Sequence, residues 1–98
     1  MAKKIFISQP MRGRSNDEIL IERTRVIEEL REMHPDCEIL DTFFKDFNGN
    51  AVQFLGKSIQ KLGEADVAVF LQGWEETRGC FLEHMVAEKY EIPRAYMK

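Results

Sequence analysis

Asp66-Val67-Ala68-Val69-Phe70-Leu71 is the stretch on which the fold turns. One acid opens it, and five apolar residues follow without a polar interruption. A strand wetted on one face would alternate apolar and polar residues. An unbroken run belongs to a strand covered on both faces, as inside a parallel sheet. Parallel neighbours need crossover connections, so helical patterns are expected on either side of it. Both are present. Upstream, Val52, Leu55, Ile59 and Leu62 recur at intervals of three, four and three, which predicts an amphipathic helix stopped by Gly63 as C-cap. Downstream, Gln72 to Gly79 reads as a loop. Phe81, Leu82, Met85, Val86 and Tyr90 then mark a third helix that ends before Pro93, and Arg94-Ala95-Tyr96-Met97 follows as a short strand.

Further out, Lys3-Lys4-Ile5-Phe6-Ile7-Ser8 is a β-branched and aromatic run closed by the turn-forming Gln9-Pro10-Met11-Arg12-Gly13. Ser15-Asn16-Asp17-Glu18 fits a capping box. Ile19, Val26, Ile27, Leu30 and Met33 recur at helical spacing, with Glu and Arg on the other face, until Pro35 ends the helix near residue 33. Cys37-Glu38-Ile39-Leu40 is a second, weaker strand, and Asn48-Gly49-Asn50 signals a turn. Phe43, Phe44 and Phe47 read as core or as a dimer interface. The order β-α-β-α-β-α-β defines an α/β chain. Its expected architecture is three-layer and doubly wound, flavodoxin- or Rossmann-like, with a mostly parallel sheet of about four strands and three helices. Right-handed crossovers put the first and third helices on opposite faces when strand order reverses beside strand one.

At 98 residues and 11.5 kDa, residues 1–98 make a single domain with enough chain for a core. A net charge of −3 gives no general affinity for a nucleic acid polymer. No apolar run approaches the ~18 residues of a membrane span, and Met1-Ala2-Lys3-Lys4 leads straight into a strand, so the expectation is a cytoplasmic protein with no membrane partner. Cys37 and Cys80 form no CxxC and no zinc spacing with histidine, which favours reduced, structural thiols and no metal site.

In an open parallel sheet, ligands bind beyond the carboxyl ends of the strands at the switch point. Two loops converge there, residues 8–14 and 72–79. Each leads into a helix, so each offers unpaired N–H groups and a positive dipole end to an anion. Ser8-Gln9-Pro10-Met11-Arg12-Gly13-Arg14 adds two guanidinium groups suited to phosphate. It is neither a Walker nor a GxGxxG loop, and a tight turn with solvated arginines is the competing reading. In the second loop Thr77 is either a helix cap or a phosphate contact, and Trp74 either stacks on a base or sugar or covers the sheet end. Gly79 allows close backbone approach. Glu83 lies six positions after Thr77, with Cys80 and Ala87 on its own helix face. Its carboxylate is placed either to enter the cleft or to stand at the surface. Asp66 falls at the amino end of its strand, away from the expected cleft. His34 reads as a helix-end cap and His84 as a packing or surface residue.

Taken together, Ile5-Phe6-Ile7-Ser8-Gln9-Pro10-Met11-Arg12-Gly13, Glu64-Ala65-Asp66-Val67-Ala68-Val69 and Thr77-Arg78-Gly79-Cys80-Phe81-Leu82-Glu83 resemble the nucleoside 2-deoxyribosyltransferase superfamily, in particular its short bacterial and phage-type members. The resemblance implies Glu83 as a nucleophile that attacks C1′ of a (deoxy)ribosyl group and forms a glycosyl-enzyme intermediate, with Asp66 holding or protonating the base. It places substrate contacts on Ser8, Pro10, Met11, Arg12, Gly13, Trp74, Thr77 and Gly79. Thr77 and Arg12 follow the branch that hydrolyses deoxynucleoside 5′-monophosphates, which carries a serine at the first position and a loop arginine. Phe6 stands where the family often has a tyrosine. A small-molecule nucleotide or nucleoside substrate, no cofactor and a homodimer are the further implications. The alternative is a non-catalytic, regulatory nucleotide-binding module of the same fold.

Overall fold

Strand β1 (Lys4–Ser8) leads to helix α1 (Asn16–Met33), strand β2 (Glu38–Ile39), helix α2 (Ala51–Leu62), strand β3 (Val67–Leu71), helix α3 (Arg78–Lys89) and strand β4 (Arg94–Met97). The computed structural model describes residues 2–42 and 47–98. The expectation for Phe43 and Phe44 therefore lies outside the described residues.

The four strands run in the order β2-β1-β3-β4, and every neighbouring pair is parallel. Strand order thus reverses between β1 and β3, which are registered Ile5 to Val67 through Ser8 to Phe70. Their alternation divides the core. Ile5, Ile7, Val69 and Leu71 face Val26 and Leu30 of α1. Phe6, Ala68 and Phe70 face Leu62 of α2 and Ala87 of α3. Helices α1 and α3 consequently lie on opposite faces, as a doubly wound sheet requires. The same alternation points Ser8, two residues after Phe6, toward α3.

Helix starts follow their local chemistry. Ser15 and Glu18 form the expected reciprocal capping box. Asn50 and Gln53 form a second one at α2, where the sequence pattern signals only a turn. Pro35 ends α1, and the His34 N–H closes onto the Leu30 carbonyl at 2.8 Å. Gly63 caps α2 with φ −63°, so it needs none of glycine's left-handed freedom. Strand β2 is shorter than expected, two residues rather than four.

Helix α1 buries Ile19, Val26 and Leu30 as expected and differs at two positions, whereas α3 is rotated from its expected face. On α1, Arg23 lies on the buried face and donates through Nη2 to the Leu40 carbonyl at 3.3 Å, while Met33 is exposed. On α3 the buried residues are Cys80, Glu83 and Ala87, and Phe81, Leu82, Met85 and Tyr90 face outward. Small side chains at 80 and 87 fit against the bulky Phe6 and Phe70, and this brings the Glu83 face onto the sheet.

Candidate functional site

At the carboxyl end of β1, where the sheet switches direction, a cleft of about 320 Å³ opens between the loop after β1, the N-terminal part of α2 and the first turns of α3. Met11, Arg12, Thr77, Gly79 and Glu83 line it, so five of the ten expected site residues meet in one cavity. The two loops also touch, since a Cβ on Gly73 would meet the Pro10 ring at 3.6 Å.

Glu83 is 7% exposed. The Ser8 hydroxyl donates to its Oε1 at 2.7 Å. Burial pushes the Glu83 carboxyl up to about 7, against hydrogen bonds from Ser8 and Ser58 that pull it down. Desolvation thus outweighs the hydroxyls that favour the charged form. Cys80 beside it is pushed up to about 11 by burial and by the Glu83 charge, so it stays a thiol.

Ser8 itself is 1% exposed, which makes it a partner of Glu83 rather than a substrate contact. Thr77 occupies the N-cap position of α3 but makes no cap bond. Its hydroxyl donates instead to the Gly73 carbonyl at 3.0 Å. The first turn of α3 accordingly has neither a side-chain cap nor an acidic residue. Gly79 has open space where a Cβ would stand, so a ligand can approach these N–H groups closely.

The other expected residues lie elsewhere. Pro10 and Gly13 shape the loop: the Pro10 carbonyl accepts from Arg14 at 2.9 Å, and Gly13 takes φ +77° in a turn closed from the Arg14 N–H to the Met11 carbonyl. Trp74, in a short 3₁₀ turn (Trp74–Glu76), stacks on His84 with ring centroids 4.0 Å apart and planes 17° apart. His84 meets the Tyr96 hydroxyl at 2.8 Å, and burial with the nearby Arg94 charge holds its imidazole below the ordinary value. Trp74 therefore covers the end of the sheet over Phe70. Asp66 joins no part of the cleft. It accepts from the Lys4 N–H at 2.7 Å at the amino end of the sheet, so its assignment to the base is corrected on position alone.

Sequence reasoning missed the wall contributed by α2, where Ala51, Phe54, Leu55 and Ser58 line the cleft. The apolar stripe hid it, because Val52 proves to be exposed and the N-terminal half of α2 roofs the cavity rather than the core. Gln9 was missed as well. Its Nε2 donates to the Ile19 carbonyl at 2.8 Å and to Glu22 at 3.0 Å, and Arg14 donates to the same Glu22 oxygen at 2.7 Å. Burial works against the charge on Glu22, yet these hydrogen bonds and the Arg14 and Arg25 charges hold its carboxyl below the usual value. The network pins the first loop and leaves Arg12, not Arg14, exposed at the rim.

Among the described residues no group of three or more His, Cys, Asp and Glu side chains is placed to hold a metal ion, and both cysteines are unpaired with each other. Among the described residues no helix is long and apolar enough to cross a membrane. Fold and site define an α/β protein with one desolvated carboxyl and an open helix N-terminus sharing a cleft at the switch point. No protein-family model matches the chain, and no curated protein matches it.

Proposed function

We propose that the chain is a cytoplasmic N-glycosidase, of the deoxyribosyltransferase kind, that cleaves the N-glycosidic bond of a (deoxy)nucleoside 5′-monophosphate. The observation that carries this reading is that Glu83, buried and held by Ser8, faces the same cleft as Arg12 and Thr77. The phosphate lies against Arg12 and the uncapped N–H groups at the start of α3. Glu83 stands four residues beyond Gly79, about 6 Å of helix rise, the scale of a sugar next to its phosphate. The base lies along the apolar wall of Phe54 and Leu55.

In the first step a Glu83 oxygen bonds to C1′ while the C1′–N bond breaks. The base leaves with the electron pair and takes a proton from water. In the second step water, or a second base, attacks C1′ and releases the carboxylate. Positive charge developing at C1′ favours the ionised acid, which offsets part of the cost of its burial. Asp66 has no role in this scheme.

Incubation with a panel of deoxynucleoside 5′-monophosphates tests it. Free base must appear, and must disappear in Glu83→Ala. The second reading, nucleotide binding without turnover, is favoured by Phe6, which brings no hydroxyl to the carboxylate, and by the distance of Asp66. It is recognised by ligand-induced NMR shifts in residues 9–14 and 76–80 with no base release. A homodimer belongs to the same reading, with Phe81, Leu82 and Met85 as the apolar surface that a second copy covers, and sedimentation of the wild type against Met85→Glu measures it.

A further inference from the structure

The environment of Glu83 is built by three elements, and nothing in the reaction above explains why two of them supply hydroxyls. Ser8 comes from the last position of β1, and alternation along the strand aims it at α3. Ser58 comes from α2, three residues after Leu55 and four before Leu62, so it sits on the stripe that runs from the cleft wall into the core. It lines the same cleft as Glu83, and its hydroxyl is among the groups that pull the Glu83 carboxyl down. A serine hydroxyl has one proton and two lone pairs. That proton goes to Glu83 Oε1, so Ser8 meets the carboxyl as a donor.

We propose that Ser8 and Ser58 are positioning residues that hold the Glu83 carboxyl in the orientation facing the cleft. Geometry supports this in two ways. Both hydroxyls lie beside a side chain with only 7% exposure, where an unsupported carboxylate would turn or stay protonated. Ser8, itself 1% exposed, has no surface left for a ligand. Arg12 and Cys80 are the other titratable side chains lining the cleft among the described residues. For its catalytic consequence the proposal rests on the reading of Glu83 given above, but the contact itself does not.

The test is a carbon-detected NMR titration of side-chain carboxyls in the ligand-free full chain, for wild type, Ser8→Ala, Ser58→Ala and Ser8→Thr. The Glu83 midpoint is expected to rise by about half a pH unit or more in each alanine variant, since each loses a donor to the charged form. Ser8→Thr keeps the hydroxyl and restores the wild-type midpoint. Amide spectra confirm that each variant is folded, and Ser58→Ala, at a half-buried site, serves if Ser8→Ala is not. Midpoints unchanged in the folded alanine variants overturn the proposal. Because no substrate is present, a moved midpoint without base release refutes the glycosidase reading alone, and base release with unmoved midpoints refutes the positioning role alone.

Discussion

Asp66 and Glu83 occupy opposite ends of the parallel sheet. The Lys4 N–H donates to Asp66 Oδ2 and the Asp66 N–H donates to the Lys4 carbonyl, both at 2.7 Å, where β1 and β3 begin. Glu83 meets Ser8 where β1 ends. The length of β1 from Lys4 to Ser8, four rises or roughly 13 Å, separates the two levels. A carboxylate at one end cannot hold a base whose sugar is attacked at the other. Asp66→Ala is therefore expected to leave base release or nucleotide affinity within about twofold, and to lower stability by about 1 kcal/mol through one exposed hydrogen bond. Loss of activity in a folded Asp66→Ala protein would contradict the placement.

Glu83 makes stability depend on pH in a direction opposite to that of an ordinary paired carboxylate. Folding raises this acid from 4.5 to about 7, so between those values the folded chain holds a proton that the unfolded chain has released. Stability from this group is complete below about pH 4.5, falls as pH rises through the window, and is lost above about 7. The full difference is on the order of 3 kcal/mol. Glu83→Gln keeps an acceptor for Ser8 without the charge. Its stability relative to wild type is expected to be near zero at pH 5 and to grow to a few kcal/mol at pH 8. Urea melts at the two pH values measure this, and a constant difference between the proteins would show that burial does not raise the acid.

How much of this was legible in advance depends on which physical signal each residue carries. Val67 to Leu71 announced a strand buried on both faces because five apolar residues in a row leave no face to water, and the topology followed from it. Ser15 and Glu18 were legible because a capping box is a local pattern. The rotation of α3 was not. Its hydrophobic residues suggest a core face through Phe81, Leu82 and Met85, yet the sheet beneath is already filled by Phe6 and Phe70, and α3 turns its Cys80, Glu83 and Ala87 face inward. Ser58 and Phe54 were hidden for a related reason: the reach of α2 over the cleft is a tertiary fact with no periodic trace. Glu83, Arg12 and Thr77 could be gathered from a distance because loops that follow parallel strands converge, whatever their sequence.

Arg12 and Arg14 are expected to behave differently although they are two residues apart. Arg14 is committed to Glu22 and the Pro10 carbonyl, whereas Arg12 stands exposed on the cleft rim. Arg12→Ala should weaken binding of a nucleoside 5′-monophosphate about 10–100-fold, the value of one or two charge-assisted hydrogen bonds, and leave nucleoside binding unchanged. Arg14→Ala should instead lower stability, and reduce binding of both ligands through a loosened loop. Calorimetric titration with matched nucleotide and nucleoside separates the cases. Equal losses for both ligands in Arg12→Ala would remove phosphate from the site.

The end of α3 offers a stability test independent of any function. Glu91 sits at φ 59°, in the left-handed region. The Ile92 N–H donates to the Ala87 carbonyl at 2.8 Å and the Glu91 N–H to the Glu88 carbonyl at 3.3 Å, the paired bonds of a Schellman motif in which position 91 ordinarily carries glycine. Ile92 packs onto the core beside Ala87, so the motif cannot unwind without exposing it. A side chain at such a φ costs about 1–2 kcal/mol. Glycine removes that strain but adds freedom to the unfolded chain, about 0.4–1 kcal/mol in the other direction. Glu91→Gly is therefore expected to stabilise the fold by about 0.5–1 kcal/mol, a rise of several degrees in melting temperature for a domain of this size. The site is distant in sequence from the cleft loops and on the far end of α3 from Glu83, so ligand binding should not change. A lower melting temperature in Glu91→Gly would mean that the Glu91 side chain makes a favourable contact that outweighs its backbone strain.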